Sequence, residues 1–188
     1  MRKLTYKGEF NGDPDTLPER EHIPGAVPFK EYQDIQKFSI IMNVMACVIM
    51  MLLFVVLFVR GGRGSYSFFG CILALLCLFP HEFLHAVCFR EEVNLYTCWK
   101  KGILFVTGQE TMSKSRFIWM SLCPNLVFGF LPCLLFMIHP QWKLLGTLGA
   151  MSIGMGVGDY YNVFNAITQM PKGARTYLSR FNSFWYMP

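Results

Sequence analysis

The chain has 188 residues, a length that suits one domain, and 53% of them are hydrophobic while only 15% are charged. Soluble domains carry about a quarter charged residues, so the composition argues against an ordinary soluble protein and points to a lipid bilayer as solvent. The net charge of +5 is modest, and nucleic acid is not an expected partner.

The stretch MRKLTYKGEFNGDPDTLPEREHIPG has no apolar run, so it is not expected to be a cleaved signal peptide. Residues 1–37, with Pro14, Pro18, Pro24 and Pro28, read as a polar, irregular arm with a short interfacial helix near PFKEYQDIQK. Four apolar stretches then follow, at about Phe38–Val59, Phe68–Phe89, Phe117–Ile138 and Leu144–Gln169. Each reaches the ~20 residues that a spanning helix needs, and a span in lipid must satisfy its own backbone. Residues 38–170 are therefore expected to form a four-helix transmembrane domain, and 171–188 a C-terminal tail. Between the second and third spans, VNLYT and ILFVT are β-prone and CWKKG offers a turn, so a short β-hairpin is expected there. The fold class is thus an all-α integral membrane protein of about four transmembrane helices, with a cytoplasmic hairpin between helices two and three.

Loop charges orient the spans. Six Lys and Arg precede the first span, five lie between the second and third, and three follow the fourth, against Arg60, Arg63 and Lys143 in the other two loops. The positive-inside rule places both termini in the cytoplasm of a multi-pass cell-membrane protein. The seven cysteines are an odd number without a CxxC pair, and six of them lie in apolar runs. They read as small apolar fillers rather than a disulfide framework.

The second span contains FPHEFLHAVCF, in which His81, Glu82 and His85 form an HExxH pattern. Residues i and i+4 share a helix face, so both imidazoles can reach one Zn²⁺, with Glu82 beside them as general base for a water. Ionisable groups inside a span are expensive, roughly 2.5–3.5 kcal/mol for a charged residue even on the insertion scale, and a dication is the partner that best offsets them. Catalytic zinc usually takes three protein ligands. Asp159, in GMGVGDYYNVFN, is the one acidic residue in the other three spans. Counted from the outer ends of their spans, His81 and Asp159 both lie ~20 Å deep at 1.5 Å per residue, so Asp159 is the expected third ligand. His139 falls at the outer end of its span and His22 in the arm. Asn125, which follows Pro124, and Asn162 and Asn165 are candidate hydrogen-bond donors to the ligands or to a substrate. Gly146, Ala150, Gly154 and Gly158 form a small-residue stripe that admits a neighbouring helix, and the glycine density there favours local unwinding.

PHEFLHA together with GDYYNVFNAITQMPKG resembles the DUF3267 zincin peptidase family over roughly residues 70–175. The members are small bacterial membrane proteins, similar in plan to the site-2 protease (M50) intramembrane metalloproteases. The resemblance implies a zinc metalloendopeptidase with His81, His85 and Asp159 as ligands and Glu82 as catalytic acid/base. It implies a substrate that is a membrane-embedded or membrane-adjacent peptide or protein, received as a strand beside residues 93–107. The sequence departs from the site-2 pattern in having Tyr160, not glycine, after Asp159, and no NPxxxxDG run. A zinc-binding sensor or assembly factor without proteolysis, and a small ion or metal transporter, are the alternatives. Oligomeric state is not legible.

Overall fold

A computed structural model describes residues 4–32, 34–99 and 103–188. Asp34 opens the first long helix, α1 (Ile35–Gly61), its carboxylate accepting the N–H groups of Gln36 and Lys37 at 2.9 and 3.1 Å. Gly62, at φ +72°, closes it. The second apolar stretch forms α2 (Phe68–Leu76) and α3 (Leu78–Cys88), separated only by Cys77. Pro80 explains the break, because it has no N–H for the Leu76 carbonyl and its ring crowds that position. The third stretch forms α4 (Lys114–Asn125), a π-helical segment (Leu126–Phe130) and α5 (Leu131–Ile138). Among the described residues, three helical runs are long and apolar enough to cross a membrane: Gln36–Gly61, Phe68–Cys88 and Lys114–Ile138.

The fourth stretch differs from the expectation of one long span. It forms α6 (Lys143–Met155) and α7 (Val157–Gln169), 13 residues each, hinged at Gly156. The glycine-rich run SIGMGVG weakens the helix where the break falls. α6 is the central post of the bundle, with Gly146, Thr147, Leu148, Gly149 and Ala150 all buried. The small-residue stripe does this: a Cβ on Gly154 would lie 2.1 Å from Met50 Cγ and 3.1 Å from the Ala46 carbonyl of α1. Gly158, the last member of the stripe, has open space beside it instead.

The chain is not all-α. Among the described residues, seven strands form two sheets. The first has the order β1-β3-β4, from β1 (Leu4–Glu9), β3 (Val93–Cys98) and β4 (Ile103–Thr107). β3 and β4 pair antiparallel, with Leu95 opposite Val106. Lys100, Lys101 and Gly102 of the expected turn lie outside the described residues. The second sheet has the order β2-β7-β6-β5, from β2 (Val27–Pro28), β5 (Met112–Ser113), β6 (Arg175–Ser179) and β7 (Asn182–Tyr186). The arm is therefore partly sheet rather than irregular. β1 runs parallel to β3, and β2 pairs with β7. In place of a separate interfacial helix, PFKEY is non-helical and helix begins at Ile35, as the first turn of α1. These pairings gather the arm, the segment between α3 and α4, and the C-terminal residues at one end of the bundle. At the other end, Arg60 Nε donates to the Met137 carbonyl at 3.0 Å.

Candidate metal centre

Three backbone irregularities build the centre. The first is the restart at α3, which carries His81, Glu82 and His85. At about 100° per residue, the two histidines sit within 40° of each other on the helix, and Glu82 lies about 60° from His85. Their rings meet edge to face, with centroids 4.9 Å apart, and the two Nε2 atoms are 3.2 Å apart.

The second irregularity is Pro124 in α4. Met120 stands four residues before it, so the Met120 carbonyl has no helical N–H to accept. His85 uses that carbonyl, with Nδ1 at 2.8 Å from it. A carbonyl only accepts, so Nδ1 carries the proton. In the neutral ring, the Nε2 lone pair then points toward His81 and Asp159.

The third is the hinge at Gly156, which starts a new helix in mid-stretch and puts Asp159 in its first turn. The positive end of the α7 dipole favours a carboxylate there. Asp159 Oδ2 lies 3.1 Å from His81 Nε2, and Oδ1 lies 3.2 Å from His85 Nε2. Asn125, fully buried, donates Nδ2–H to Asp159 Oδ2 at 2.6 Å and to the Ser121 carbonyl at 3.1 Å. Tyr160 O–H donates to Asn125 Oδ1 at 3.2 Å. A Cβ on Gly156 would lie 1.7 Å from that same Oδ1, so only glycine leaves room for the network.

Ligand atoms of His81, His85 and Asp159 all lie within 4.8 Å of one another. Two imidazole nitrogens and a carboxylate oxygen are a zinc donor set, and the geometry suits a cation. Nε2 of His85 is a lone-pair acceptor aimed at a second Nε2 and a carboxylate, and Nδ1 is anchored to a carbonyl as metal-ligating histidines commonly are. Glu82 borders the cluster, and its Oε2 accepts the Val106 N–H of β4 at 3.0 Å.

An ion pair holds α3 against α4 on the strand side. Glu110 accepts from Arg116 at 2.5 Å and from the N–H groups of Arg90 and Glu91 at 2.5 and 3.1 Å. Arg116 also donates twice to the Cys88 carbonyl, at 3.2 and 2.7 Å. Burial pushes the Glu110 carboxyl up, but Arg116 and the two backbone donors outweigh it and hold the group below its ordinary value.

Of the residues singled out from sequence, the structure brings His81, His85, Asp159 and Asn125 together. Asn162 is half-buried one turn beyond Asp159 and takes no part in the network. Asn165 is buried; it accepts from Gln169 at 3.0 Å, and its Nδ2 has no partner among the described residues. His22 lies against Tyr177 and Phe184, and His139 against Trp142. The Met120 carbonyl, the Val106 N–H and Tyr160 were not anticipated. Only the first had a signal, a proline four residues after Met120.

The fold and site define a membrane-capable helical protein whose HExxH helix shares with a distant aspartate a three-residue cluster that could hold a metal ion. The chain belongs to the DUF3267 family, described as "Putative zincin peptidase", whose profile matches residues 72–175. Membership suggests a zinc metallopeptidase, and both α3 and the Asp159 turn fall inside the matched range. No curated protein and no solved structure matches the chain.

Proposed function

We propose that this protein is an intramembrane zinc endopeptidase, similar in plan to the site-2 proteases, which cuts membrane-embedded or membrane-adjacent peptides. The observation that carries the reading is the convergence of His81, His85 and Asp159, 78 positions apart at the extremes, within 4.8 Å inside the helical bundle. These three residues would hold the ion. When bound, Zn²⁺ supplies Lewis acidity that acidifies water and polarises a scissile carbonyl. Glu82 takes a proton from water as the oxygen bonds to the peptide carbon, and delivers it to the amide nitrogen as the C–N bond breaks. Asn125 fixes the Asp159 carboxylate through its 2.6 Å hydrogen bond, and Tyr160 holds Asn125.

The strand pairings support a shared side for both termini and the segment between α3 and α4, as an even number of crossings requires. The fourth crossing would be made by α6 and α7 together. Fourteen of 17 Lys and Arg belong to that shared side, which makes it cytoplasmic by the positive-inside rule. β4 is an edge strand beside α3, so a substrate strand can add to it.

Purified protein should bind about one zinc per chain, and His81→Ala and Asp159→Ala should each lose it. Glu82→Gln should keep the metal and abolish cleavage of a membrane-reconstituted peptide. Zinc binding by wild type with no Glu82-dependent cleavage would leave a sensor or assembly factor as the better reading. Zinc flux into liposomes would favour a transporter.

A further inference from the structure

Strand register and helix geometry build a recess beside Glu82 that the metal cluster does not use. In the first sheet, Leu4 pairs with Val93, Leu95 with Val106, and Leu104 with Thr97. Side chains alternate between faces along a strand, so Leu4, Leu95, Leu104 and Val106 share one face. On α3, Phe79 and Phe83 fall on the side nearly opposite His81 and His85, at about 100° per residue. These two surfaces enclose a groove of about 390 Å³, in which Glu82 is the one ionisable lining group among the described residues.

Glu82 stands on the border between the two sides of α3. The Val106 N–H that binds its carboxylate points away from β3, off the free edge of β4. An extended peptide laid along that edge would bring its backbone to Glu82. Its alternate side chains would fall on the face that carries Leu95 and Leu104. Phe79 and Phe83 are 55% and 57% exposed, so the recess is open to an incoming side chain. A lipid tail could fill the apolar volume but has no use for a strand edge or a carboxylate. A peptide uses both.

We propose that this groove is the substrate side-chain pocket, and that it selects a large apolar residue (Leu, Ile, Met or Phe) next to the bond that is cut. This rests on the peptidase reading above. The test uses the full chain, reconstituted with zinc in phosphatidylcholine–phosphatidylglycerol liposomes. It is given a library of apolar peptides that vary at one position, and product ends are read by mass spectrometry. One methylene in an apolar pocket is worth about tenfold or more in rate. Wild type should therefore favour Leu, Met or Phe over Ala by at least about tenfold at one position beside the cut. Leu104→Trp, which fills the groove, should lower the Leu-to-Ala ratio about tenfold, and Leu104→Ala should shift preference toward the bulkier Phe. Both variants should retain zinc, which reports on folding.

A flat profile for wild type overturns the pocket, and so does a Leu-to-Ala ratio that neither variant changes; the groove is then a lipid-filled recess. No cleavage at all, or cleavage that survives Glu82→Gln, overturns the peptidase reading and the pocket with it.

Discussion

Replacing Pro124 by alanine should make the protein more stable and its metal site weaker. Proline leaves the Met120 carbonyl without a helical donor, and His85 Nδ1–H occupies that carbonyl at 2.8 Å. Alanine supplies an N–H four residues on, which competes for the same oxygen. In a helix interior alanine is favoured over proline by roughly 3 kcal/mol. The buried ring gives back part of this, about two methylenes at roughly 0.8 kcal/mol each, leaving a net gain of about 1 kcal/mol in the metal-free protein. Loss of the orienting partner of a metal-bound histidine costs about 10–100-fold in affinity, or roughly 1.4–2.8 kcal/mol. Thermal unfolding of the metal-free protein in detergent measures the first effect. Zinc titration against a competing chelator measures the second. A Pro124→Ala protein that binds zinc within twofold of wild type would refute the assignment of the His85 tautomer to Met120.

Gly156→Ala should abolish zinc binding, because its Cβ would lie 1.7 Å from Asn125 Oδ1 and must displace the side chain that holds Asp159; metal analysis of the purified variant checks this. Asn125→Ala removes the same hydrogen bond without a clash, so chelator competition should show a milder loss, about tenfold in zinc affinity. Glu110 has a native pKa below its ordinary 4.5, so its stabilisation is full above pH 4.5 and is lost as pH falls through the lowered native value. Glu110→Gln should then be less stable than wild type by about 1 kcal/mol at pH 7. The gap should close in acid; a gap that is independent of pH would sink this account.

The convergence of His81, His85 and Asp159 was readable because most of it is local. HExxH places two histidines one turn apart on any helix, and the cost of an acid in lipid singled out Asp159. The break at Cys77 has a local cause in Pro80, but the second stretch reads as one span because its apolar run continues unbroken across it. The hinge at Gly156 was only foreshadowed, since a run of glycines permits unwinding without locating it. The β1–β3 and β2–β7 pairings could not be read at all. They join Leu4 to Val93 and Val27 to Trp185, and nothing local in a polar arm names a partner so far along the chain. The Tyr160–Asn125–Asp159 relay was hidden for the same reason, as it depends on where α7 restarts against α4.

The pairing of β2 with β7 also imposes an order in time. β2 lies at the edge of its sheet and, among the described residues, has β7 as its one strand neighbour. During synthesis the arm emerges before any span, whereas β7 emerges after α7. Chains grow at about 5–20 residues per second, so β2 waits many seconds for the strand that captures it. By then every helix of the bundle has been synthesised. The sheet is therefore a clasp that shuts only once all the helices have been made, and a chain stalled before Asn182 is left with β2 unfastened, the arm held by β1 on β3 alone.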